Sequence, residues 1–386
     1  MLQSDFGYTK LRWLLTILGL LLYVVDIGTD VGLALQYLLD KQFVWAGLTL
    51  VFVLAGLVTT QIFSYAWYWD DMNNVLVNPE GNPTVLGISK CGLAAVHLFG
   101  MGIFSRYYHL LKKGYHVIWP AKSSYTVEQT RDAHQNLFVL ATDLSMLKLF
   151  ETFMEGVPQL LLQLYIILGH DNSSILQCVC MAFSFFNIAW SLVDFRRCLR
   201  RSLPSLREMP SGLPTAVYLL YKLFTITPHI LSYTLLLVLS TYTSVALAFL
   251  WLLGTTWAHL IQTNFCSCRG LEWLYRAVIG VILTFTFFNI KGQDTKVVMS
   301  IYYFFYSLIN FMAPILLALL KPETQTTTYL LPVAFVIFAG TVLGLVFLMV
   351  YYICLHPRGK WREADEVDGL EKEPETMLRI KSFLQP

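Results

Sequence analysis

The chain has 386 residues, 56% of them hydrophobic and 13% charged, with a formal net charge of +2. A soluble globular domain carries about 25% charged residues, so the composition excludes a water-soluble fold. Neither Gly (23) nor Pro (14) is abundant enough for a collagen-like or disordered chain, and the charge balance gives no basis for a nucleic-acid partner.

The first apolar block, residues 12–39, is too long for a signal-peptide core, carries Asp26 and Asp30, and has no small-residue cleavage site. It is expected to be a retained span. Blocks at 43–68, 86–105, 136–168 and 174–195 follow, then 213–240, 243–262, 272–291, 297–320 and 329–355. Most are long enough to cross a hydrocarbon core of about 30 Å as helix. They form two sets of five with one rhythm: two long blocks joined by a short turn, a shorter block, then two more long ones. Matching halves predict a pseudo-symmetric membrane fold.

The two shorter blocks, 86–105 and 272–291, decide between ten spans and eight. Lys and Arg accumulate in cytosolic loops. With eight spans, two re-entrant segments and both termini inside, 23 of the 27 basic residues are cytosolic. With ten spans the count is 11 inside and 14 outside. The expected fold is therefore an all-α polytopic membrane protein with eight transmembrane helices, two re-entrant helices and cytosolic termini. Its parts are residues 1–200 and 201–357, each with four spans and one re-entrant segment, and a cytosolic regulatory tail at 358–386. An Asn172-Ser173-Ser174 sequon falls outside in this scheme, which agrees with it weakly.

Several ionisable residues lie inside the blocks. Asp26 and Asp30 share one helix face. Asp143, Glu151 and Glu155 fall on one stripe of the third span with Lys148 beside it, and Pro158 predicts a kink there. Asp194 stands three residues before Arg197, and Lys222 lies in the fifth span. Each buried acid costs about 2.5–3.5 kcal/mol on insertion scales, so such residues read as functional. The alternative is structural pairing, Lys148 with Glu151 and Asp194 with Arg197. The preferred consequence is a polar track between the first and third spans. Trp45 is a candidate cap for that track or an interfacial aromatic, and Gln61, Ser64 and Tyr65 are candidates to line it.

The seven cysteines include two C-x-C pairs, Cys178/Cys180 and Cys266/Cys268, without partners at zinc spacing. No metal or cofactor is expected. No Walker A loop and no H-E-x-x-H motif is present, so neither a pump nor a metalloprotease has a motif behind it, and the chain is not expected to be an enzyme.

From Arg358 onward, 13 of 29 residues are charged. Within this tail stands Asp365-Glu366-Val367-Asp368-Gly369. Executioner caspases require Asp at the cut position, favour an Asp three residues earlier, and accept a small residue after the bond. All three features are present in a polar segment, which predicts regulated cleavage after Asp368. Leu378, Ile380, Phe383 and Leu384 then form an apolar group suited to an inhibitory plug or to peripheral membrane binding.

The runs Asp26-Ile-Gly-Thr-Asp30, Thr142-Asp-Leu-Ser-Met-Leu-Lys-Leu-Phe-Glu-Thr-Phe-Met-Glu155, Val157-Pro-Gln-Leu160, Glu272-Trp-Leu-Tyr-Arg276 and Phe287-Phe-Asn-Ile-Lys-Gly-Gln293 resemble the XK-related family. Val350-Tyr-Tyr352 and His356-Pro357 belong to the same set, and with its DEVD-G the tail resembles the caspase-activated members. The resemblance implies a plasma-membrane phospholipid scramblase, silent until caspases remove the tail, that then exposes phosphatidylserine. It implies a polar stairway of Asp26, Asp30, Asp143, Glu151, Glu155 and Asp194 with Lys148 and Arg197 as basic partners. It also implies phospholipids and an executioner caspase as partners, with a single-span immunoglobulin-like chaperone accompanying some relatives. Two other readings stay open: a secondary transporter of a small solute, and a non-transporting scaffold.

Overall fold

The computed structural model describes residues 7–73, 84–85, 88–119, 127–170, 175–202, 209, 212–263, 265–266, 268–289, 296–322 and 329–355. Among these the fold is helical, apart from a two-residue antiparallel pairing of Thr84–Val85 with Ile88–Ser89. The helices are α1 (Lys10–Leu39), α2 (Phe43–Asn73), α3 (Lys90–Leu98), α4 (Gly102–Ile118), α5 (Val127–Glu151) and α6 (Val157–His170). They continue with α7 (Ile175–Ser202), α8 (Leu213–Leu239), α9 (Thr243–Leu260), α10 (Arg269–Phe285), α11 (Lys296–Leu320) and α12 (Leu330–Val350). Six of them, α1, α2, α8, α9, α11 and α12, are long and apolar enough to cross a membrane.

Local chemistry sets the helix ends. Thr9 starts α1 by accepting the Arg12 amide at 3.3 Å. A tight turn at Asp40 and Lys41, with Lys41 at φ 58°, reverses the chain into α2. The α8–α9 turn is equally short, with Thr243 donating to the Leu236 carbonyl at 2.7 Å.

The two short blocks differ from their predicted extents. The first is a broken pair, α3 and α4, and it runs on to Ile118. Gly100 at φ +75° makes the break. The continuation was hidden because α4 is amphipathic: Ile103, Arg106, Tyr107, Leu110 and Gly114 are buried, while Lys112 and Lys113 are exposed. The second block becomes the single helix α10.

The kink expected at Pro158 takes the form of a π-helical turn, Thr152–Gly156, between α5 and α6. Pro158 cannot donate to the carbonyl one turn back and its ring crowds it, and widening the helix relieves both.

The chain divides into two compact units. The first holds α1–α5 and the C-terminal turns of α7 from Phe195; the second holds α6, the rest of α7 and α8–α12. In the first, Tyr8, Tyr23, Ile103, Tyr107, Leu110, Leu137 and Phe138 form the core. In the second, tyrosines 218, 221, 303, 306 and 351 pack with Val193 and Phe287.

Close backbone approach drives helix association where lipid removes the usual hydrophobic advantage. On α12, Gly340 and Gly344 meet α8; a methyl group on Gly344 would stand 2.6 Å from the Phe224 carbonyl oxygen. Gly344→Ala is therefore expected to destabilise the protein by about 1–3 kcal/mol, read as a lower melting temperature in detergent. Gly169→Ala, in α6 where nothing lies within 4 Å of the added carbon, is expected to leave it unchanged or slightly raise it.

Candidate functional site

Two polar assemblies are built into the first unit. The inner one centres on Arg106, one of the basic residues that the charge distribution assigns to the cytosolic side, which is 2% exposed. Its guanidinium donates to Asp143 at 3.0 Å and to the Ser64 carbonyl at 3.1 Å, and lies 3.7 Å from the centroid of the Tyr68 ring. Ser64 also pairs with His97 Nε2 at 2.9 Å. Gln61 spans the α3–α4 break: its amide nitrogen donates to the Gly100 carbonyl at 3.2 Å, and its oxygen accepts the Gly102 amide at 2.8 Å. These side chains pin a broken helix pair to α2 and α5, so Gln61 and Ser64 have structural partners. The Asp143 carboxylate is held by a full counter-charge.

The outer assembly lies at mid-length of α1. Asp26 is exposed and Asp30 is half-buried one turn later. Facing them from α5, Lys148 is hydrogen-bonded to the buried Glu151, as the structural alternative expected. The same ammonium sits 4.4 Å from the centroid of the Tyr23 ring and interacts electrostatically with Asp26 and Tyr107. Glu151 in turn feels both Asp26 and Asp30. One lysine thus faces three carboxylates, an excess of negative charge. The cluster opens on a surface otherwise made of Leu18, Leu21, Leu22, Val25 and Val31, all exposed.

The remaining expected residues lie elsewhere. Glu155 is buried in the π turn and belongs to the second unit. Asp194 and Arg197 are both half-buried on α7, and the division between units falls between them. Trp45 is half-buried in the first turn of α2, with its carbonyl accepting from Thr49 at 2.9 Å. The caspase-type sequence Asp365–Gly369, the apolar tail residues Leu378, Ile380, Phe383 and Leu384, and the Asn172 sequon lie outside the described residues.

In the second unit, Lys222 donates to Thr286 Oγ1 at 3.0 Å and to the Phe287 carbonyl at 2.9 Å, and Tyr233 donates to the Thr284 carbonyl at 3.2 Å. Donors from α8 thus satisfy the C-terminal end of α10. His229, Asn310 and Thr341 form a buried chain across α8, α11 and α12, with distances of 2.9 and 3.0 Å. Near the start of α10, Arg276, inside the 272–291 block, is buried against Glu272, Thr263 and His259.

Sequence reasoning missed Arg106, one residue past the 86–105 block, and Arg276, inside the 272–291 block, because other cations stand on either side of each. The detectable signal was position: Arg106 lies on the apolar stripe of an amphipathic helix, where a solvated arginine does not belong.

Long outward-facing apolar helices around buried ion pairs define a multi-pass helical membrane protein. The family model described as XK-related protein matches residues 14–357. The chain is 55% identical to XK-related protein 9 of Tetraodon nigroviridis, over 98% of this chain and 99% of that protein. It is 30% identical to XK-related protein 8 of the same fish and 32% identical to that of Pan troglodytes, over 95% and 92% of this chain and 88% and 87% of those proteins. The chain belongs to the XK-related family.

Proposed function

We propose that the protein moves phospholipids between leaflets without ATP, that executioner caspases activate it by cutting after Asp368, and that the result is phosphatidylserine exposure at the plasma membrane in apoptosis. The observation that carries this reading is the outer assembly: Asp26, Asp30, Lys148 and Glu151 at mid-helix, opening on the lipid-facing surface of α1. A head group crossing hydrocarbon must replace its water with fixed polar partners, while its acyl tails stay in lipid. The excess carboxylates of this laterally open cluster supply such partners for the ammonium groups of zwitterionic and amino-bearing head groups. Transport runs down existing lipid asymmetry, so the protein acts as a conduit and not as an enzyme.

The proposed topology has eight spans, two re-entrant elements and cytosolic termini. The spans are the six apolar helices, the α5–α6 segment and α7. The last two carry more charge than the apolar six, as elements lining a polar path would. The re-entrant elements are the α3–α4 pair and α10. Backbone ends at membrane depth need donors from neighbouring helices; Gln61 at the α3–α4 break and Lys222 with Tyr233 at the end of α10 supply them. A single-span immunoglobulin-like partner remains part of the reading through the family alone.

The test uses purified full-length protein in liposomes carrying a fluorescent lipid, assayed before and after caspase-3 treatment. Fast bleaching of inner-leaflet label after cleavage only is the expected result, and Asp368→Ala should abolish the response. Equal lipid exchange in cut and uncut protein would remove the caspase step, and no exchange in either would remove the transport reading.

A further inference from the structure

Where the first turn of α1 meets the last turns of α4, the first unit carries a surface that neither the path nor the switch uses. Trp13 is at its centre. Its indole N–H donates to the Leu111 carbonyl at 3.0 Å, and it fits against Gly114, where an added methyl group would stand 2.8 Å from the Trp13 ring. Trp119 meets Trp13 edge-on at 5.0 Å and stacks on Tyr115 at 5.4 Å. Three exposed lysines stand on these two helix ends, with Arg12 packed inward. Lys10 lies 5.6 Å from the Trp119 centroid, Lys112 lies 5.6 Å from that of Tyr108, and Lys113 is exposed beside Lys112. Arg12 packs 5.1 Å from the Phe138 centroid, with one terminal nitrogen buried and without a hydrogen-bond partner among the described residues. None of the three lysines has a carboxylate at ion-pair distance among the described residues, although Asp71 of α2 acts electrostatically on Lys113 from farther off.

We propose that this junction of α1 and α4 is a binding surface for the multiply charged phosphate head group of an anionic membrane phospholipid. The position sets the source of the anion. Leu11 is 67% and Leu14 is 56% exposed on the same helix end, so hydrocarbon begins within one turn of the cations. Tyr115 and Trp119 are exposed as well, and such rings settle at head-group level. A phosphate arriving here with two acyl chains can bury them along α1, whereas a soluble anion gains charge contact alone. Clustered basic residues beside a membrane helix contribute about 1 kcal/mol each toward an anionic leaflet. The proposal is independent of lipid transport, because it places a stationary lipid at the rim of the first unit.

The experiment titrates full-length, detergent-purified protein with dioctanoyl phosphatidylinositol 4,5-bisphosphate while following tryptophan emission. Dioctanoyl phosphatidylcholine, inositol trisphosphate and a single-stranded oligonucleotide serve as comparators. Saturable binding with a changed emission is expected. The triple variant Lys10→Gln/Lys112→Gln/Lys113→Gln should bind at least tenfold more weakly, with an unchanged melting temperature in the absence of the lipid. Trp119→Phe should keep affinity within a few-fold and lose most of the emission change. The proposal is overturned if inositol trisphosphate or the oligonucleotide binds as tightly as the lipid, or if the folded triple variant binds the lipid as well as the parent does.

Discussion

Arg106→Met is expected to leave almost no folded protein, the largest stability loss of any single substitution considered for this chain. The change removes one partner of a buried pair, 1% and 7% exposed at the side chains, and strands the Asp143 carboxylate. Breaking such a pair from one side costs about 3–5 kcal/mol. It also deletes the donor to the Ser64 carbonyl and the cation over Tyr68, so the α3–α4 pair loses its main tie to α2. Asp143→Asn should cost less, since its amide oxygen still accepts from the guanidinium, although the arginine then carries an uncompensated charge. The double variant Arg106→Met/Asp143→Leu should recover much of the loss, because two apolar side chains replace a pair whose desolvation offset most of its attraction. Monodisperse yield and melting temperature of the three variants in detergent decide the matter. If Arg106→Met is as stable as the parent, the inner assembly has no structural role.

That pair also shows where sequence reading stopped. The apolar blocks located all six of the apolar spans, because a stretch of about 20 hydrophobic residues has few other uses. The short turns at Asp40–Lys41 and Ser240–Thr243 were legible for the same reason. The extent of α4 was not. An amphipathic helix such as Gly102–Ile118 dilutes its hydropathy with outward lysines, so an averaging window ends it early. Counting charges gave Arg106 only a side of the membrane, since a count carries no information on which face of a helix a residue takes. Spacing along the third span groups Asp143 with Glu151 and Glu155, although Asp143 has its own counter-ion in Arg106. Lys148 with Glu151 was readable as a pair, three residues apart on one helix. The excess of carboxylates around that lysine needed α1 in place, and no local pattern in the sequence fixes how two helices face each other.

The second large effect separates carboxylates that serve structure from those proposed to serve transport, because the two kinds change stability in opposite directions. Asp26→Asn/Asp30→Asn removes the two acids that face Lys148 from α1 and leaves the Lys148–Glu151 pair whole. Each ionised carboxylate at this depth costs about 2.5–3.5 kcal/mol on insertion scales, so the double variant should be at least as stable as the parent. Its tail-cleaved form in liposomes should nevertheless move lipid at least tenfold more slowly, since the remaining pair is neutral and offers a passing head group little. Lys148→Met should show the reverse order of effects: it leaves Glu151 buried without its ammonium, and the protein should unfold more readily by about 3–5 kcal/mol. A double variant that is stable and still scrambles at the parent rate would mean that Asp26 and Asp30 take no part in lipid passage. The outer assembly would then be one more helix contact.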